Sequence, residues 1–166
     1  MDQLKETAMA AGWTVWAMAA LALLLVGCAR PGDSAGAGGL PSGALDHAVG
    51  DAIGDPTTCV VIAERAGGKI LYRYGERFNC VRGLPACDRP GVLTAERALA
   101  VADTADGRGA SCPTTADGTR RVGWAEGRIA GARRDLVFSA VMEGQRALPG
   151  QEMIARLTEA FANAGI

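Results

Sequence analysis

From Ala8 to Val26 the chain runs for nineteen residues without a charged side chain, densest at Met18-Ala19-Ala20-Leu21-Ala22-Leu23-Leu24-Leu25-Val26. As a helix this run is ~28 Å long, close to the thickness of a bilayer core. It stops abruptly at Gly27-Cys28-Ala29-Arg30-Pro31-Gly32. A segment of this kind does not join the core of a small water-soluble domain, so the sequence divides into an apolar leader and whatever folds after it.

Leu25-Val26-Gly27-Cys28 resembles a bacterial lipobox, the motif read by lipoprotein signal peptidase. The resemblance implies that residues 1–27 are a signal peptide cut between Gly27 and Cys28. It also implies that the Cys28 thiol carries a diacylglyceryl group and that the freed amine is acylated. Two or three acyl chains anchor stably where one is marginal. Ala29 stands where an aspartate resembles an inner-membrane retention signal. The expected address is therefore the cell envelope, on the periplasmic face of the outer membrane. The competing reading keeps the leader as an uncleaved single-span anchor.

Removing residues 1–27 of 166 leaves 139, with 16 basic and 16 acidic residues once Asp2, Lys5 and Glu6 go with the leader. That length accommodates one domain with a tail. The balance lacks the basic footprint that nucleic-acid binding requires, so no nucleic-acid partner is expected. Residues 28–44 comprise Cys28 and a segment of Gly, Ala, Pro and Ser that buries too little apolar area to repay its ordering entropy. They read as a lipidated cysteine on a flexible tether with ~50 Å of reach.

Residues 45–166 read as the globular domain. Leu45, Val49, Ala52 and Ile53 recur at helical spacing and stop before Gly54-Asp55-Pro56. Cys59–Glu64 and Ile70–Tyr74 are strand-like runs around Gly67-Gly68, a hairpin signal. Residues 75–93 read as an irregular loop, and Thr94 caps a helix over Ala95–Asp103. Asp106–Gly118 reads as turns. Arg121–Ile129 and Leu136–Met142 form a second hairpin, and Pro149-Gly150 opens a closing helix with Ile154, Leu157 and Phe161 on one face. The expected fold is α+β: a small antiparallel sheet of two hairpins, about four to five strands, packed by the N- and C-terminal helices.

Cys59, Cys80, Cys87 and Cys112 are an even set in a chain expected to be exported, so two disulfides are expected to staple the domain. Their spacing does not resemble paired C-x-x-C zinc knuckles, and no metal is expected. Cys59 opens one strand and Cys80 lies just past its hairpin partner, which favours Cys59–Cys80 with Cys87–Cys112. Cys80–Cys87 with Cys59–Cys112 remains open.

Val122-Gly123-Trp124-Ala125-Glu126-Gly127 followed by Leu136-Val137-Phe138-Ser139-Ala140 is similar to the last two strands of class D β-lactamases. Ile70-Leu71-Tyr72-Arg73-Tyr74-Gly75-Glu76 is similar to their second strand, and Leu84-Pro85-Ala86-Cys87-Asp88-Arg89 falls where their nucleophile helix begins. Over about 80 residues the chain thus weakly resembles a reduced sheet domain of the penicillin-recognising serine enzymes. That family activates a serine with the lysine of S-x-x-K. Beyond the leader the sole lysine is Lys69, with Ala66 three residues before it. The matching position reads Cys87-Asp88-Arg89-Pro90, with proline at the lysine's place, and the neighbouring arginine cannot serve as the base. K-T-G is missing too; Ala116-Asp117-Gly118 and Asp117-Gly118-Thr119 come nearest.

No other residue set makes a catalytic site. The single histidine, His47, lies on a helix beside the tether, and Glu126 and Glu143 on strands read as surface partners of arginines. Arg120, Arg121, Arg133 and Arg134 bracket the second hairpin and, with Trp124, make a candidate patch for an anionic ligand. The expected function is a lipid-anchored envelope protein whose domain binds or scaffolds another envelope protein or a cell-wall component. It needs no cofactor and performs no chemistry. The alternatives are a β-lactamase-like serine hydrolase and a single-span membrane protein.

Overall fold

Strands buried on both faces must be central and covered on both sides. Val60, Val61, Ile62 and Ala63 are all buried, as is every residue from Leu136 to Gly144. A computed structural model describes residues 39–103 and 107–166 and places these two strands, β1 (Cys59–Glu64) and β7 (Leu136–Gly144), side by side. The readings of residues 1–38, including the apolar run, Gly27, Cys28 and most of the tether, lie outside the described residues.

The fold is α+β. Five antiparallel strands run in the order β2 (Ile70–Tyr74), β1, β7, β6 (Arg121–Arg128), β5 (Arg108–Pro113). One face, with Val60, Ile62, Phe138, Ala140 and Met142, packs under two helices, α1 (Ser42–Ile53) and α4 (Gly150–Asn163). Leu45, Val49 and Ile53 of α1 meet Met153, Leu157 and Phe161 of α4 in that core, and Phe138 meets Phe161 edge-on at 5.1 Å. Tyr72 on β2 donates to Asp46 Oδ1 of α1 at 2.9 Å; burial, then that bond, raises the phenol pKa.

The opposite face carries Cys59, Val61, Val122, Trp124 and Val141. A layer of short elements covers it: α2 (Arg77–Val81), a two-stranded ladder of β3 (Leu84–Pro85) and β4 (Val92–Leu93), and α3 (Ala95–Ala98) with a 3₁₀ turn over Leu99–Val101. Both disulfides staple this layer to the sheet. Cys59–Cys80 joins β1 to α2, and Cys87–Cys112 joins the β3–β4 loop to β5. The favoured pairing is the one formed.

Strand β6 ends one residue earlier and β7 two residues later than the sequence predicts, and four larger differences stand out. Helix α1 starts at Ser42, three residues inside the expected tether, with Leu45 N donating to Pro41 O. The loop 75–93 contains α2 and the β3–β4 ladder, both held mainly by tertiary contacts. The helix expected over Ala95–Asp103 tightens into the 3₁₀ turn after one α-turn capped by Thr94 Oγ1. The largest correction is β5, which lies inside the stretch read as turns. Arg-Gly-Ala-Ser-Cys-Pro has no β-branched residue, yet the start of α4 needs a strand this small. Ser111 Oγ accepts from Gly150 N at 2.8 Å, and a Cβ on Gly109 would lie 2.5 Å from Gln151 N.

Candidate functional site

Trp124, Glu126 and Ser139 share the face beneath the β3–β4 layer, with Glu126 directly opposite Ser139 in the β6–β7 register. Trp124 is 2% exposed and Glu126 1%. A buried carboxylate requires cations and donors, and the segment Leu84–Leu93 supplies them together with Arg108 of β5. We call that segment the strap. Arg89 Nη2 donates to Glu126 Oε1 at 2.6 Å, and Arg89 Nε lies 3.0 Å from Asp88 Oδ1. Arg108 Nη1 on β5 lies 3.6 Å from Asp88 Oδ2 and 3.7 Å from Glu126 Oε1. For Arg89, burial is the largest single influence and opposes the charge, but Glu126 and Asp88 together outweigh it, so the guanidinium pKa is raised. Two cations thus balance two anions. Pro85 O accepts from Trp124 Nε1 at 2.7 Å, fixing the other end of the strap. Glu126 Oε2 and Ser139 Oγ are buried with no hydrogen-bond partner among the described residues.

The second buried acid, Glu143, closes the far end of β7. Its Oε1 accepts from Arg120 Nε at 3.0 Å and Thr114 Oγ1 at 3.2 Å, and its Oε2 from Arg120 Nη2 at 2.7 Å and Arg82 Nη2 at 3.3 Å. The forked bond from Arg120 is the main cause holding this carboxyl below the usual glutamate range, against burial. Arg65 does the same for Asp103 through bonds of 2.7 and 2.8 Å, and lies 3.1 Å from Asp135. Arg73 reaches Glu96 at 2.6 Å, tying β2 to α3. These pairs join elements far apart in sequence, a task suited to a planar fork and poorly done by an ammonium. The excess of arginine over lysine thus has a structural use.

The arginines of the candidate ligand patch are not brought together. Arg120 and Arg121 sit at the start of β6, while Arg133 and Arg134 lie in the turn at its other end, ~26 Å of strand away. Arg120 is engaged by Glu143, Arg134 pairs with Glu64, and Arg121 and Arg133 are exposed. Trp124 lies under the strap and offers no surface to a ligand. The physical reason is alternation: residue 124 shares the inward face with Val122, whereas hairpin ends project into solvent.

His47 stands exposed on α1, its Nδ1 2.9 Å from Asp51 Oδ2. Both residues border a groove of about 620 Å³ between α1 and α4, lined also by Arg156, Glu159, Asn163 and four alanines. Cys87 is bonded to Cys112. Glu126 and Glu143 do pair with arginines, but both are buried rather than at the surface, and Arg89 as a partner escaped sequence reasoning because Asp88-Arg89 and Glu126 are distant in the chain. The one available signal was a glutamate flanked by Ala125 and Gly127 in an otherwise apolar strand. No protein-family model matches the chain, and comparison with curated proteins and with solved structures finds no match.

Proposed function

We propose that the chain is a lipid-anchored protein of the cell envelope, attached through Cys28, whose α+β domain binds or scaffolds an envelope protein or cell-wall component. One observation carries the choice of binding over chemistry: arginines close both buried glutamates, at 2.6 Å for Glu126 and 2.7 Å for Glu143. For Glu143 the Arg120 bond holds the carboxyl below the usual glutamate range, which makes it a poor proton donor or acceptor at neutral pH. The residues that look reactive in the sequence instead hold the layers together. The groove between α1 and α4, lined by four alanines with His47, Asp51, Arg156, Glu159 and Asn163, supports this reading as a place for a partner.

The test is intact mass of protein extracted from bacterial membranes, followed by crosslinking in cells. Loss of residues 1–27 with added acyl mass, and a reproducible crosslinked product of defined mass, are the expected results. A full-length mass without acyl groups overturns the anchor and leaves the single-span reading. Covalent labelling by a fluorescent penicillin overturns the non-catalytic reading.

A further inference from the structure

The two disulfides differ in access and backbone. Cys59 and Cys80 are each 0% exposed and lie in the apolar cluster with Val61, Trp124 and Val141. A thiol reagent reaches them only if the layer opens. Cys87 and Cys112 are both partly exposed. Cys87 is also the single non-glycine residue with positive φ among those described, at 62°. A left-handed backbone at a residue with a Cβ is unfavourable and persists where surrounding contacts enforce it. Here the enforcing contacts are the bond to Cys112 and the tight turn below it, in which Asp88 N donates to Ala86 O at 2.8 Å. Cys112 itself lies on β5, an edge strand paired only with β6.

We propose that Cys87–Cys112 is a redox-exchangeable clasp. A dithiol reductant opens it while Cys59–Cys80 stays closed, and opening loosens the strap above Glu126 and Ser139. A thiolate of the dithiol attacks one bridge sulfur, the S–S bond breaks, and the departing thiolate takes a proton. The second thiol of the reductant then resolves the mixed disulfide. Two electrons and two protons reach Cys87 and Cys112, and the reductant leaves as its own disulfide. Pro85 O, 3.7 Å from Cys87 Sγ, stands ready to accept from the new thiol. The Pro85–Trp124 and Arg89–Glu126 bonds lie on either side of Cys87 and confine the loosening to the strap. The unpartnered Glu126 Oε2 and Ser139 Oγ beneath it are the groups that gain access to water.

The full chain in detergent micelles is equilibrated with mixtures of reduced and oxidised dithiothreitol, quenched with acid, alkylated and read by peptide mass spectrometry. Cys87 and Cys112 are expected to become alkylated at a reduced-to-oxidised ratio at least tenfold below that needed for Cys59 and Cys80. Hydrogen exchange at the selectively reduced stage should rise in residues 84–93 and stay unchanged in β1 and β7. The double variant Cys87→Ser, Cys112→Ser should reproduce that exchange pattern without reductant. Opening of both bridges at one ratio, or of Cys59–Cys80 first, overturns the proposal. So does unchanged exchange in residues 84–93 in the reduced protein or in the double variant.

Discussion

Arg89 and Glu126 meet at 2.6 Å across 37 positions of sequence, a strap residue closing over a strand residue that is 1% exposed. Removing Arg89 leaves buried Glu126 with only the more distant Arg108, 3.7 Å away, and a buried charge short of a bonded partner costs more than the pair is worth. Arg89→Met is therefore expected to destabilise the domain by about 2–4 kcal/mol in urea unfolding. Arg89→Met with Glu126→Leu should recover most of the loss. A double variant as unstable as the single one would contradict the assignment.

Glu143 gives the fold an acid-sensitive contact. Its folded-state pKa is lowered, chiefly by the Arg120 bond. A lowered carboxylate pKa contributes stability that is fully present above the unfolded value of about 4.3 and is lost as pH falls through the folded value. Thermal melts from pH 7 to pH 3 should show this fall, with Asp103, lowered by Arg65, acting in the same sense. Because Arg120 is partly exposed, Glu143→Gln should cost only about 1–3 kcal/mol at pH 7 and should flatten the acid limb. An unchanged limb in the variant would assign the loss to other groups.

Backbone closeness makes a third test. A methyl at Gly150 would collide with the Trp124 carbonyl and lie 2.5 Å from Ala110 N, where α4 begins against β5 and β6. Backbone cannot move aside as a side chain does, so Gly150→Ala should destabilise by about 2–4 kcal/mol. Gly43, in α1, has nothing within 4 Å of its would-be Cβ, and Gly43→Ala should be neutral or slightly stabilising. Chemical denaturation of the two variants separates packing from propensity.

What the sequence made legible follows from locality. The β1–β2 hairpin keeps its bounds because β-branched residues and Gly67-Gly68, both at positive φ, encode it within sixteen residues. Pro149 marks the start of α4 for the same reason. Strand β5 was hidden because its residues were chosen for smallness against α4 rather than for strand propensity. The Asp88–Arg89–Arg108–Glu126 network was hidden because three separate segments supply it, and only folding brings them within reach. The four arginines of the candidate patch lie at opposite ends of β6, because adjacency to a hairpin says nothing about which end of it a residue occupies.

Anchoring through Cys28 is the central claim, and fatty-acid incorporation tests it most directly. Bacteria expressing the chain or its Cys28→Ala variant are fed a labelled fatty acid, and each protein is isolated under denaturing conditions. Label on the wild type and none on Cys28→Ala is the predicted result. Equal label on both, or on neither, would contradict it.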